Sequence, residues 1–317
     1  MTPFDATGPV TYLDHAASTP VRPEALEAML PWLGGRCGNP SGAHRMAREA
    51  RAALDDARDV VADAVGAAPG DVIWTSGGTE ADHLAVAGVD GGAAAAVCSA
   101  VGHHAVLDAV RDGRWGAGAA VGVDAAGRVS AASVADAIAR AGGDVDLVSV
   151  MTANNETGVV QPLAEVVDVV RRTAPGAVVH TDAVQAAAWL DLPAVTAGAD
   201  LVSLSAHKFG GPKGVGALVV RGAVPVRAVL GGGGQARGRR SGTPDVAGAG
   251  AMGGALAAPR AARRRWRGWR RSPSACGRGS WPRSPARSTP SRRWRVASSS
   301  GCPTSSTSAS PTWRPRR

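Results

Sequence analysis

The sequence predicts an α/β fold: a mostly parallel sheet of about seven strands, sandwiched by helices, in one large domain over residues 1–255. Three observations carry this expectation. Short apolar runs alternate along the chain with longer segments of helical pattern. The runs are continuously apolar, as in strands covered on both faces. Polar residues gather at their carboxyl ends, the edge where open α/β sheets bind ligands.

Taken in order, Tyr12 to Pro20 reads as a short extended entry and a turn. Pro23 to Leu33 is helical in pattern, with Pro23 suited to a first turn. Gly38-Asn39-Pro40-Ser41-Gly42 is a loop, and a long helix apolar on one face runs from about Ala43 to Val65. Val72 to Ser76 has the pattern of a buried strand. Gly77-Gly78-Thr79-Glu80 follows it, then a helix from about Ala81 to Ala87. A strand, a small-residue turn and a helix amino end together expose free N–H groups that favour a phosphate, although a plain tight turn has the same pattern. Further strands are expected over Ala94 to Ser99, Ala119 to Val123, Leu147 to Thr152, Val178 to Asp182, Leu201 to Ser205 and Gly216 to Val220. Helices are expected over Ser133 to Ala141 and Leu163 to Thr173. No internal repeat is visible.

The stretch Ser205-Ala206-His207-Lys208-Phe209-Gly210-Gly211-Pro212-Lys213-Gly214 holds the only two lysines among 35 Lys and Arg. A guanidinium stays protonated near neutral pH, whereas an amine can lose its proton when desolvated and attack a carbonyl. Ordinary surface lysines on a loop would look the same. Thr79, His103, Asn155, Asp182, Gln185, Ser205, His207 and Lys208 all fall at strand ends. Each has an ordinary structural role open to it. Together, on one edge of a parallel sheet, they describe a pocket for a cofactor.

The net charge of +9 comes from the tail. Sixteen arginines lie between Arg260 and Arg317 and no Asp or Glu follows Asp245, so residues 1–257 carry 9 − 16 = −7. Met1 to Val10 lacks the basic start and apolar run of a secretory signal, and no apolar stretch approaches a membrane span. Cys37, Cys98, Cys276 and Cys302 show neither metal spacing nor a disulfide framework. A reducing, cytoplasmic setting is expected, with no membrane partner and no metal.

Over roughly residues 10–255 the chain resembles the cysteine desulfurases, in the class V branch of pyridoxal-phosphate (PLP) enzymes of fold type I. The resemblance rests on Tyr12-Leu13-Asp14 with Ser18-Thr19-Pro20, Gly38-Asn39-Pro40-Ser41 with His44, and Thr75 to Glu80. It continues through His103 with Ala105-Val106-Leu107, Asn154 to Gly158, and Asp182-Ala183 with Gln185. It ends with Ser205 to Lys208, Gly211 to Gly214, Gly231 to Gln235, and Arg240-Ser241-Gly242-Thr243. What it implies is specific. Lys208 would hold PLP as an imine, and Lys213 would be a loop cation. Asp182 would pair with the pyridine nitrogen and His103 would stack on the ring. Asn155 and Gln185 would bond the ring's 3-oxygen. Gly78, Thr79, Ser205 and His207 would hold the phosphate. Thr243 would reach the phosphate of a partner subunit, which implies a homodimer, and Arg240 would lie near the site. The implied activity removes sulfur from L-cysteine, leaving L-alanine and an enzyme persulfide for a sulfur-acceptor protein in iron–sulfur assembly or tRNA thiolation.

The chain departs from this pattern beyond about residue 255. The family's persulfide-forming cysteine sits on a loop rich in Ser, Gly and Ala in a carboxyl-terminal small domain, and neither Cys276 nor Cys302 has such a setting. Residues 256–317 are rich in Arg, Ser and Pro and contain five of the nine Trp, without hydrophobic periodicity. Residues 1–255 are thus expected to hold the PLP-binding large domain with the amino-terminal segment of the small domain, and residues 256–317 a disordered tail in place of the carboxyl-terminal small domain, arising from a shifted reading frame. Back-translated with mostly GC-rich codons and read from the third base, residues 301–315 give a strand-like segment similar to the family's small domain. Other readings stay open: a selenocysteine lyase or aminotransferase of the same class, an inactive product, or an Arg-rich nucleic-acid binder. The last has only the tail in its favour, and no nucleic-acid partner is expected.

Overall fold

The computed structural model describes residues 11–258, apart from 90, 91, 93, 94, 114 and 234. The arginine-rich tail from residue 259, with Cys276 and Cys302, and the start of the chain, Met1 to Val10, lie outside the described residues. In chain order the elements are α1 (Pro23–Met29), α2 (Arg45–Val65), β1 (Val72–Thr75), α3 (Gly78–Gly88), β2 (Ala95–Ser99) and α4 (His104–Arg111). Next come β3 (Ala117–Val121), α5 (Ala131–Arg140), β4 (Leu147–Ser149), α6 (Leu163–Thr173) and β5 (Val178–Asp182). The last are α7 (Leu192–Val195), β6 (Leu201–Ser205), β7 (Gly216–Val220) and α8 (Val246–Ala257).

The seven strands form one sheet in the order β1-β7-β6-β5-β4-β2-β3. The run from β6 through β5, β4 and β2 to β3 is parallel, and β7 lies antiparallel between β6 and β1. Two reversals restore direction, so β1 ends on the same edge as β6. The register makes this concrete: Thr75 pairs with Gly216, and Gly216 pairs with Ser205. A Cβ on Gly216 would stand 2.6 Å from the Leu204 carbonyl oxygen and 2.7 Å from the Gly77 carbonyl carbon. Only glycine lets the β1–α3 turn sit this close to β6.

Alternate side chains on the strands feed two apolar layers. On one face Val148, Val179, Val202 and Val219 pack beneath α2, α5, α6 and α8. On the other, Leu147, Leu201 and Leu218 pack with Leu84 and Val86 of α3 and Val106 and Val110 of α4. In α2 the buried residues Ala47, Ala50, Leu54, Ala57 and Val61 recur at three- and four-residue spacing, which makes its apolar stripe. His44 caps its start by accepting from the Ala47 amide, and Gly66 ends it in the left-handed conformation at φ 69°.

Several boundaries differ from expectation for physical reasons. The helix expected from Pro23 to Leu33 stops at Met29 and tightens into a single turn over Leu30–Trp32. Pro31 has no amide to donate to Glu27, so the α-ladder cannot continue. The helix expected from Ala81 starts at Gly78, which turns Gly78, Thr79 and Glu80 into its first turn. The strand expected over 119–123 runs from Ala117 to Val121, and the one expected to Thr152 ends at Ser149. Three helices were not announced by the pattern: α4, the four-residue α7 and α8. In α4 the buried residues come in pairs, Ala105-Val106 and Ala109-Val110. In α8 almost every side is buried against α1 and α2, so no polar face marks the helical period. Its small residues allow close crossing, and a Cβ on Gly254 would stand 2.7 Å from the Glu24 carbonyl oxygen. Among the described residues no helix is long and apolar enough to cross a membrane.

Candidate active site

The edge where β1, β4, β5 and β6 end holds a cleft of about 360 Å3. Its floor is the β1–α3 turn, Ser76 to Glu80, together with Ser205, His207, Lys213 and Gly214. Ala17 and Ser18 form a wall. The turn is built for close approach: Gly77 has φ 153°, and a Cβ on Gly78 would meet Val184 Cγ2 at 3.0 Å and Ser205 Cβ at 3.3 Å. The amides of the first α3 turn have no partners within their helix, and the helix dipole adds positive potential there. Of the residues expected to hold a phosphate, Gly78, Thr79, Ser205 and His207 all line this cleft.

Charge in the cleft is nearly balanced without a ligand. Burial pushes the Glu80 carboxyl up, but Arg240 and Ser76 outweigh it and hold the group below its usual range. Arg240 Nε and Nη2 donate to the two Glu80 oxygens at 2.8 and 3.2 Å, and the Ser76 amide donates at 2.6 Å. Arg240 is therefore committed to Glu80. His207 is pushed down by burial and by the charges of Lys208 and Lys213, so its imidazole is neutral. Among the described residues lining the cleft, Lys213 is left as the cation free to face an anion. Read from the sequence it was a loop cation; its place against His207 could have been inferred only from how the glycine-rich loop folds back. Lys213→Ala should weaken the affinity for a phosphate-bearing ligand about tenfold at low salt, with the difference shrinking as salt screens it. Lys213→Arg should restore it. Equal affinities in a titration of all three chains at two ionic strengths would refute the role.

Lys208 sits at the end of β6 in a single helical turn over Ala206–Lys208. Its Nζ donates to the carbonyls of Ala16 at 2.5 Å and Ala17 at 3.1 Å. Gln185 Nε2 donates to the same Ala16 carbonyl at 2.8 Å. The Thr19 amide and hydroxyl both donate to the His207 carbonyl at 2.8 Å, and Thr19 Oγ1 accepts from the Gly210 amide at 2.8 Å. The segment 16–19 is thus stitched across the lysine loop. Its Ser18-Thr19-Pro20 run belongs to the motifs above, but nothing in its composition announced a wall over Lys208. Burial lowers the Lys208 amine from its ordinary value, opposed by Asp182, Asp14 and Glu156.

Asp182 ends β5 almost fully buried. Its Oδ1 accepts from the Val184 amide at 2.9 Å. Burial raises its pKa, against the Val184 N–H and the charges of His103 and Lys208. Asp182 ends β5, Lys208 follows the paired strand β6, and His103 caps α4 after the parallel strand β2, so all three lie at one sheet edge, although none of them lines the cleft itself. His103 caps α4: its Nδ1 accepts from the Ala105 amide at 3.1 Å, so the ring carries a proton on Nε2 when neutral.

Asn155 is half-buried and donates to Glu156 at 2.7 Å. The neighbouring Asn154, buried and not singled out as a site residue, builds the loop that presents it. Asn154 Oδ1 accepts from the Glu156 and Thr157 amides at 2.9 Å, and its Nδ2 donates to the Val101 carbonyl at 3.0 Å. That last bond ties the loop to the one carrying His103. Thr243 is exposed and is not among the residues lining the cleft.

Residues 11–262 match the family described as aminotransferase class-V. An IscS-like cysteine desulfurase of Mycobacterium tuberculosis is 44% identical over 250 residues, covering 76% of this chain and 63% of that protein. A cysteine desulfurase IscS of Dictyoglomus turgidum is 39% identical over 251 residues, covering 77% and 62%. The chain thus spans less than two thirds of the length of these relatives. Among solved structures, one of SspA in complex with cysteine superposes with a TM-score of 0.72 at 34% identity, covering 78% of this chain and 72% of that one. DndA from Streptomyces lividans superposes with a TM-score of 0.69 at 34% identity, covering 81% and 74%.

Proposed function

The chain belongs to the class-V aminotransferase family, and from that premise we propose that it carries the PLP-binding large domain of a cysteine desulfurase, acting on L-cysteine as a homodimer. The observation that supports this most directly is that Asp182 and Lys208 end paired strands at the same sheet edge as the glycine turn and Lys213.

The residues present fit the cofactor. The cleft floor offers free amides and Lys213 to a phosphate, and the glycines leave room where a Cβ would crowd Val184 and Ser205. Lys208 offers an amine whose pKa burial lowers, and Asp182 offers a buried carboxylate to a ring nitrogen. When bound, PLP supplies an electron sink next to the substrate's amine. Asp182 would pair with the ring nitrogen and keep it protonated, His103 would stack on the ring, and Asn155 and Gln185 would bond its 3-oxygen. Lys208 Nζ would hold the cofactor and serve as the base at the substrate's α-carbon. The Ala16 and Ala17 carbonyls hold that amine in place at the end of β6. Thr243 is assigned to the partner's phosphate, and residues 256–317 to the place of the small domain.

Titrating the purified chain with PLP tests the proposal through the visible absorbance of the bound cofactor. Asp182→Ala should raise the dissociation constant on the order of a hundredfold, because a buried charge loses its partner. The same affinity and spectrum in that variant would remove Asp182 from its role.

A further inference from the structure

On the face of the sheet that meets α3 and α4, the apolar layer gives way to polar side chains toward the carboxyl edge. Two residues on from Leu147, Val178 and Leu201 stand Ser149 on β4, His180 on β5 and Ser203 on β6, on the same face as their predecessors. His180 is fully buried. Its Nδ1 lies 2.8 Å from Ser149 Oγ, and its Nε2 lies 2.9 Å from Ser203 Oγ. Asp82 of α3 stands 3.6 Å from Nε2, beyond hydrogen-bond distance, so the ring's bonds go to the two serines. The functional reading above uses none of these groups.

We propose that His180 is a positioning residue for the cofactor site: its imidazole braces β4 and β6 against β5 and so sets how Asp182 stands relative to Lys208. The proposal rests on the reading of the site given above. His180 pairs in register with Ser149 on β4 and with Leu201 on β6. Its bond to Ser203 therefore runs diagonally, to the residue that pairs with Asp182. A slide of β6 along β5 would stretch that diagonal at once. The ring also joins β4 to β6, across two strand spacings of about 4.8 Å each, which a ladder between neighbours cannot do. Each braced strand delivers part of the site. The chain leaves β4 for the loop of Asn154 and Asn155, β5 ends in Asp182, and β6 leads through Ser205 to His207 and Lys208.

The chemistry of the position suits histidine. A buried polar group is costly unless it is bonded, and both ring nitrogens are bonded. Burial pushes the ring's pKa down to about 3, so it is neutral and adds no charge beneath Asp182. A lysine or arginine in its place would neutralise Asp182 from inside the sheet and leave less of its charge for a ring nitrogen. A leucine would leave two serine hydroxyls buried without the ring.

The test is a double-mutant cycle on PLP binding. His180→Asn keeps an amide at the depth of Nδ1, near Ser149, and gives up Ser203. It should weaken PLP binding about tenfold, the scale of a coupled contact. His180→Gln, whose amide reaches the depth of Nε2, should stay within about threefold of wild type. In an Asp182→Ala background His180→Asn should cost under about twofold, because the placement of an absent carboxylate no longer matters. A second readout needs no cofactor and uses the chain's two lysines. Asp182 raises the pKa of the Lys208 amine, so the pH at which Lys208 becomes half-reactive toward an acylating reagent should fall in Asp182→Ala. It should fall in His180→Asn as well, and no further in the double variant than in Asp182→Ala, with Lys213 as the internal reference in mass spectrometry. Equal losses of PLP affinity in both backgrounds would make His180 an ordinary core residue and overturn the proposal, as would an unmoved Lys208 profile. If His180→Asn does not fold, Ser203→Ala removes the same bond and enters the same cycle. A wild-type chain that binds no PLP defeats the reading of the site instead, and the Lys208 profile still decides the brace.

Discussion

Lys208→Ala will abolish the visible absorbance that the wild-type chain gains with PLP, while Lys213→Ala will keep it once cofactor is saturating. The two amines lie five residues apart on one loop and differ in surroundings. Lys208 is half-buried at the end of β6 and shares the electrostatic influence of Asp182; Lys213 is exposed and lines the phosphate end of the cleft. Burial lowers the Lys208 pKa, so more of it is unprotonated and nucleophilic at neutral pH than an ordinary lysine. The sign follows: covalent capture should speed up with rising pH and level off below 10.5, the ordinary amine value. The Ala16 and Ala17 carbonyls oppose this by accepting hydrogen bonds from Nζ, so they must release it before capture. Lys208→Arg should fail as Lys208→Ala does, since a guanidinium cannot attach the cofactor. Retained absorbance in Lys208→Ala with loss in Lys213→Ala would show that the attaching amine is Lys213.

The strand ends were legible because parallel strands buried on both faces write continuous apolar runs, and polar residues can only follow them. That logic placed Asp182, Ser205, His207 and Lys208 on one edge before any geometry was known. It was blind to contacts made across the chain. The wall from residues 16–19 depends on bonds to Gln185, Lys208 and Gly210, all far away in sequence. The Glu80–Arg240 pair, which neutralises the acid beside the phosphate turn, spans 160 residues. Asp82 and His180 were invisible for another reason. A single aspartate in a helix and a histidine two residues before a strand end are unremarkable until the sheet pairs His180 with Ser149 and brings its other ring nitrogen to Ser203 Oγ. The α8 helix escaped because burial on nearly every side erases the periodicity by which a helix is read.

Cysteine-dependent sulfide release by this 317-residue chain will be absent even where it binds PLP. Release in the proposed reaction needs a thiolate able to attack the substrate's sulfur. Of the described cysteines, Cys98 is buried in β2, and burial pushes its thiol up to about 11. At neutral pH about one in ten thousand such groups is ionised. Cys37 is exposed in the loop after Leu30–Trp32 and is not among the residues lining the cleft. Cys276 and Cys302 lie outside the described residues, in settings unlike the cysteine loop that the resemblance implies. L-Cysteine should therefore change the bound cofactor's spectrum without yielding sulfide above a cysteine-free variant. Replacing residues 256–317 with the small domain of a cysteine desulfurase, its cysteine loop included, should bring release, because it supplies such a thiolate. Three results would point elsewhere. Release that climbs tenfold per pH unit toward about 11 and vanishes in Cys98→Ser would assign the attack to the buried thiol. Loss in Cys37→Ser alone would assign it to the loop. Release that survives both, but not replacement of Cys276 or Cys302, would make the arginine-rich tail a working part of the enzyme.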